Sequence, residues 1–166
     1  AIYKHSGTCY LRLGRGGEPR IHDHIQNFQI GKAIKICNGE RVVIFTSGAI
    51  IGDVLLAQKK LKESNIYPAI YSFPTIKPID KKVINFCSEK YDYIFTVEEH
   101  NLDCGFGSAI AEVIMDNNVK KPIFQRLAIP NQYSSIVGSQ EYLKDKYKLS
   151  ASEIANAIKA KVKENE

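Results

Sequence analysis

A chain of 166 residues with 44% hydrophobic and 25% charged side chains suits one folded domain, with some length left over. Its net charge of +5 is mild, and its lysines are spread thinly with acids among them, which excludes the concentrated basic face of a nucleic-acid binder. The longest apolar stretch, Val42 to Ala57, is broken by Thr46, Ser47, Gly48 and Asp53, which excludes a membrane span there.

Residues 1–27 do not read like the rest. Cys9-Tyr10-Leu11-Arg12-Leu13 has the makings of a short strand, and Gly14-Arg15-Gly16-Gly17-Glu18-Pro19 is loop chemistry. This part is expected to be a linker or the end of a preceding domain. From Phe28 the pattern changes. Phe28, Ile30, Ile34 and Ile36 alternate with other residues and lead to Asn38-Gly39, so a strand over 28–36 is expected, paired antiparallel with 42–47 through a hairpin. A helix from about Ile51 carries Val54, Leu55 and Leu61 on one side. A strand from Ala69 to Phe73 follows. Pro78 holds Lys77 extended, and Asp80 is placed to cap a helix bearing Val83, Ile84 and Cys87.

The strand Tyr93-Ile94-Phe95-Thr96-Val97-Glu98 comes next, then a helix from about Phe106 with Ile110, Val113 and Ile114 inward. Pro122 opens the last strand, Ile123 to Leu127. A short helix follows Ser139. Ser150-Ala151-Ser152-Glu153 predicts a capping box for a final helix with Ile154, Ile158 and Val162 as its buried stripe. Continuous apolar strands alternating with helices predict an α/β fold with a mostly parallel sheet covered on both faces. Such sheets place function at the carboxyl ends of their strands.

Four clusters stand where chemistry is expected. Glu98, Glu99 and His100 end a strand; acid and imidazole together suit proton transfer, but no nucleophile is near, so an interface or structural role is favoured. Gly105, Gly107 and Ser108 open a helix. Glycines there let backbone N–H groups approach an anion, or simply allow tight packing of strand on helix. Arg12 and Arg15 flank a glycine-rich loop that suits a phosphate or carboxylate. His22-Asp23-His24 has the composition of a metal site without a fourth ligand, and no metal is expected. The cysteines, Cys9, Cys37, Cys87 and Cys104, lack the close spacing of a zinc or redox motif and are expected as free thiols in a reducing cytoplasm.

Several landmarks in order carry a family resemblance. Gly7 to Arg15 resembles the end of a pyrimidine-binding domain. Thr46-Ser47-Gly48 is similar to a first strand-to-helix turn, and Thr75 to Asp80 to the family segment TIKPLD. Val97-Glu98-Glu99-His100 with Gly105 to Ala109 resembles VEEH…GGFGSA. Arg126 to Pro130 and Gly138 to Leu149 are similar to the closing segments. The chain thus resembles, along nearly its whole length, the C-terminal domain of transketolase-like enzymes. These include transketolase, deoxyxylulose-phosphate synthase and the beta subunits of 2-oxo acid dehydrogenases, and the TIKP form leans to transketolase. Cys104 stands where the family usually has Gly, and Asn131 where it commonly has Asp.

The resemblance implies a three-layer α/β/α domain with five strands, one antiparallel. It places that strand beside a later one rather than in the Asn-Gly hairpin, and both placements stay open. It also implies thiamine diphosphate and Mg2+ in the complete assembly, and transfer of a two-carbon ketol unit between sugar phosphates. The Gly-Asp-Gly…Asn motif that holds cofactor and metal is missing, so this chain alone is expected to be non-catalytic and to bind neither. Its partners are then the cofactor-binding domains or subunit of the same enzyme, in a homo-oligomer. Arg15, with Arg12, is the implied contact to a substrate phosphate. Glu98, Glu99 and His100 are the implied interface. The alternative is a free-standing α/β ligand- or partner-binding module without enzyme activity. A signalling receiver of that kind needs clustered Asp at its strand ends, where this chain has Ser47, Thr75, Glu98 and Pro130.

Overall fold

The computed structural model describes residues 1–14, 20–21, 28–117 and 121–165. Within them the elements run β1 (Ile34–Cys37), β2 (Val42–Ser47), α1 (Ile51–Lys62), β3 (Ala69–Ser72), α2 (Lys81–Lys90), β4 (Tyr93–Asn101), α3 (Phe106–Asp116), β5 (Ile123–Ile129), α4 (Gln140–Lys146) and α5 (Ala151–Glu164). The sheet order is β1-β3-β2-β4-β5. All neighbours are parallel except β1, which pairs antiparallel with β3.

The central strand shows why the apolar runs are continuous. Val42 to Thr46 are all buried, because both faces of β2 are covered. Val42 and Ile44 pack with Val54, Leu61, Ile154 and Ile158 of α1 and α5. Val43 and Phe45 point the other way, to Ile84, Ile110 and Val113 of α2 and α3. The period of two thus splits one strand between two cores and makes the three layers. On the α2/α3 side three rings interlock: Phe45 lies 5.1 Å from Phe73, and Phe73 5.2 Å from Phe106, centre to centre.

The hairpin expected at Asn38-Gly39 is not formed. β1 pairs with β3, with Ile34 opposite Ser72 and Lys35 opposite Tyr71. Of the two placements left open, the one beside a later strand is the observed one. The chain leaving β1 passes beneath the start of β3, where Glu40 N donates to Tyr67 O at 2.7 Å. A Cβ on Gly39 would collide with the backbone of Pro68 and Ala69. Gly39 is therefore a close-approach glycine in a crossing, which in sequence looks the same as a hairpin glycine.

Three smaller expectations are also corrected. β1 begins at Ile34 rather than Phe28, because Gly31 sits at a positive φ of 76° against Pro78 and turns the chain. Ser150 occupies the N-cap of α5, but its hydroxyl makes no cap hydrogen bond. The Ser150 to Glu153 capping box is thus a position without its bond. Cys9 to Leu13 forms no strand, and Tyr10, Leu11 and Leu13 lie exposed. By contrast, Asp80 caps α2 as its position predicts. One oxygen accepts from Val83 N at 3.3 Å, while the other accepts from Ala33 N at 3.1 Å and ties the start of β1 to the same corner.

Candidate functional site at the carboxyl edge of the sheet

β4 carries its apolar pattern up to Val97 and then turns polar, so Glu98 sits at the top of the sheet under the start of α3. It is only 3% exposed. Its two oxygens accept from Phe106 N and Gly107 N, each at 2.7 Å. A helix start leaves N–H groups without intrahelical partners and carries partial positive charge, so a carboxylate is held there by charge-assisted bonds.

The glycines follow from this closeness. A Cβ on Gly105 would stand 2.5 Å from a Glu98 oxygen, and one on Gly107 would stand 2.5 Å from Thr96 Oγ1. The helix start that suits an anion therefore already holds one from its own chain.

Ser108 and Arg126 complete this corner. Ser108 Oγ donates to Leu102 O at 3.2 Å. Arg126 Nη1 donates to that carbonyl at 2.8 Å and to Ser108 Oγ at 2.9 Å. A further set surrounds the loop: Asp103 N donates to Asn101 Oδ1, Asn101 Nδ2 to Asn131 Oδ1, and Asn131 Nδ2 to Asp103 Oδ2. Asn131 serves as both acceptor and donor, which an Asp there could not do.

Glu99 faces the other way. Its Oε1 accepts from Gln140 Nε2 at 2.9 Å and lies 3.6 Å from Lys144 Nζ. Lys144 donates to Asp53 Oδ2 at 2.8 Å, so one ammonium of α4 bridges the first turn of α1 and the end of β4. Burial pulls the Lys144 ammonium down, but the Asp53 hydrogen bond and the charges of Glu99 and Asp53 outweigh it and leave its pKa raised. His100 is exposed on the rim, its Nδ1 3.4 Å from Asn101 O. On the neighbouring strand Ser47 Oγ donates to Phe73 O at 3.0 Å, and Gly48 turns the chain at a φ of 81°.

The fold thus brings Glu98, Gly105, Gly107 and Ser108 together in one corner and sets Glu99 in a second. Arg12 lies exposed in the N-terminal segment. Arg15 and His22-Asp23-His24 fall outside the described residues. Among the described residues no group of three His, Cys, Asp or Glu could hold a metal ion. All four cysteines are free thiols.

Sequence reasoning missed Lys144 and Gln140 as partners of Glu99. Their spacing of four marks one helix face, but nothing local points to Asp53, 91 positions away.

The comparisons with known proteins agree with this architecture. A family model described as the transketolase C-terminal domain matches residues 31–154. A protein named as a transketolase C-terminal section, from Methanocaldococcus jannaschii, is 32% identical over 98% of this chain and 50% of its own length. A 6-deoxy-6-sulfo-D-fructose transketolase subunit of Clostridium sp. is 31% identical over 94% of this chain and 48% of its own. For the 1-deoxy-D-xylulose-5-phosphate synthase of Caldanaerobacter subterraneus the figures are 32%, 91% and 24%.

Among solved structures, a split-gene transketolase described as an inactive beta4 tetramer superposes with a TM-score of 0.83 at 26% identity. It covers 91% of this chain and 48% of that one. The chain spans about half or less of the length of these relatives. No described helix is long and apolar enough to cross a membrane. With the model matched over most of its length, this chain belongs to the transketolase C-terminal domain family.

Proposed function

We propose that this chain is the C-terminal part of a transketolase-like, thiamine-diphosphate-dependent transferase that moves a two-carbon ketol unit between sugar phosphates. Its task is domain packing and association rather than chemistry. Residues 28–166 are the C-terminal domain, and residues 1–27 are a linker or the end of a preceding pyrimidine-binding domain. The exposed Tyr10, Leu11 and Leu13 then cover apolar surface of that domain. The setting is a reducing cytoplasm, consistent with four free thiols.

The carboxyl edge carries this reading. Glu98 is engaged by two backbone N–H groups, and Glu99 by Gln140 and Lys144. An edge whose carboxylates are held within the chain offers shape to a partner, not a proton to a substrate. The residues present also do not fit the cofactor. Gly52-Asp53 lacks the rest of a Gly-Asp-Gly…Asn motif, and the Asp53 carboxylate is bound by Lys144. Thiamine diphosphate and Mg2+ then belong to the other domains or a partner subunit, as the names of relatives called sections and subunits suggest.

Within the assembly, Glu98 acts by fixing the start of α3. Glu99 and His100 are at the rim, where a neighbouring domain or subunit can meet them. Arg15, with Arg12, contacts the phosphate of the substrate.

Calorimetry with cofactor and Mg2+ tests the assignment: the isolated chain should give no binding heat, and tight binding would overturn it. In the complete assembly, Arg15→Ala should lower kcat/KM for phosphorylated substrates by about ten- to a hundredfold, the loss of one charge-assisted contact. An equal loss for unphosphorylated substrates would assign Arg15 to the fold or the interface instead.

A further inference from the structure

The lysines are spread along the sequence, but the fold gathers six of them on one side. Asp80 Oδ2 accepts from Ala33 N at 3.1 Å, and a Cβ on Gly31 would stand 3.1 Å from the Pro78 ring. The chain around Lys32 thus meets the chain around Lys77, Lys81 and Lys82. Lys35 stands opposite Tyr71, its ammonium 5.9 Å from that ring, on the side of the sheet that α2 covers. Lys90 closes α2, 5.6 Å from the Phe86 ring and 5.2 Å from that of Tyr91. Burial pushes the Cys87 thiol of α2 up, and the charges of Lys90 and Lys35 both pull against it, so the two lysines reach the same part of the helix.

All six are exposed. Among the described residues none of them is in an ion pair; the bridges take Arg41, Lys144 and Lys161 instead. The acids within 31–35 and 76–90 are Asp80, which is buried and holds two backbone N–H groups, and Glu89, which is exposed. Most of the net charge of +5 therefore sits on this face. Lys81 and Lys82 stand in the first turn of α2, where positive charge opposes the helix dipole, so the fold gains nothing from them there. α1, α4 and α5 each carry an acid in that turn.

We propose that this face, α2 with the start of β1, docks an acidic segment of a partner protein that carries an apolar residue among its carboxylates. Complementary charge steers such a segment in and sets its register. Phe86 supplies the apolar contact. It is 53% exposed and lies one helical turn from Lys82 and one from Lys90, on the same side of α2. An apolar side chain seated on that ring leaves the carboxylates on either side within reach of the two ammonium groups.

The residue types favour carboxylates over other anions. Every cation in 31–35 and 76–90 is a lysine, a mobile point charge, and none is the arginine fork that suits a phosphate. Single-stranded nucleic acid needs a row of rings on which bases stack, and Phe86 is the one exposed ring in these segments. The inference concerns a surface remote from the Glu98 corner and stands whether or not the chain serves a thiamine enzyme.

Calorimetry and amide shift mapping with synthetic peptides decide it. A glutamate-rich peptide carrying leucines should bind, shift the amides of 31–35 and 77–90, and weaken as salt is raised. The same peptide with glutamine for glutamate should not bind. The double variant Lys81→Glu, Lys82→Glu should lower affinity by about tenfold or more. Acids in the first turn suit the helix dipole, so this loss does not come from unfolding α2; Lys32→Glu with Lys77→Glu, outside the helix, should act alike. Lys59→Glu with Lys60→Glu on α1 changes the net charge equally and should leave affinity nearly unchanged. Phe86→Ala should erase the advantage of the leucine-bearing peptide over plain polyglutamate. The proposal is overturned by no binding, by shifts that fall elsewhere, or by an equal loss in the α1 variant. Tighter binding of a single-stranded oligonucleotide or of inorganic phosphate at this face overturns it as well.

Discussion

Glu98 is the residue on which the top of the sheet depends, because it is buried and accepts two backbone bonds at once. Glu98→Gln keeps the size but turns one acceptor into an NH2 group facing an N–H. The loss of a charge-assisted bond and the new clash should cost about 2–3 kcal/mol. Urea titration measures it, and a change within the noise would mean that α3 is held by packing alone. Cys104 shows the opposite case. It takes a φ of 58°, a left-handed conformation that a side chain resists. A glycine at this position would relieve that strain. Cys104→Gly should therefore raise stability by about 1 kcal/mol, seen as a higher urea midpoint at unchanged slope; a lower midpoint would mean that the thiol makes contacts worth more than the strain. Neither effect was legible from residue type. The acid at a strand end and the unusual Cys were visible, but burial and dihedral angle come only with the fold.

α4 is the element most dependent on a few polar bonds. It has seven residues, none buried, and a helix that short does not persist unaided. Ser139 caps it, accepting from Tyr142 N, and Lys144 and Gln140 fasten it to Asp53 and Glu99. Lys144→Met removes the cation and leaves two carboxylates facing each other, which should cost about 1–2 kcal/mol. Amide exchange should then quicken in α4 before any other helix; uniform quickening would mean that the bridge supports the whole domain. The same bridge sets a pH dependence. A lysine held above its ordinary value contributes stability that is complete below about pH 10 and fades as pH rises through the raised value. Alkali should loosen α4 first. The start of α4 could be read from Ser139, whereas its anchor could not, because capping is a local signal and a bridge across the fold is not. α1, α3 and α5 were legible for the converse reason: their apolar spacing is written into the helix itself.

At the scale of the molecule, the proposed assembly is the state in which Glu99 should matter most. Glu99→Ala in the complete assembly should weaken subunit or domain association, because a rim contact that becomes covered on association and loses one partner leaves the other desolvated. Turnover of the assembly that remains should be nearly unchanged. Sedimentation and kinetics across protein concentration test this, and a large fall in turnover with the assembly intact would move Glu99 into the active site. The parallel centre of the sheet was legible in the sequence because strands covered on both faces are apolar throughout, as β2 and most of β4 are. Strand order was not legible from local pattern, since Asn38-Gly39 looks alike in a hairpin and in a crossing; only the family resemblance pointed to β1 beside a later strand. That crossing also has a consequence in time. β1 comes first along the chain, yet its only partner among the described strands is β3, and its first residues are tied down by Asp80, later still. The segment around Ile34 must remain without its partners while β2, α1 and β3 form. On a ribosome, then, the first strand of the sheet to emerge is the last of β1, β2 and β3 to find its place.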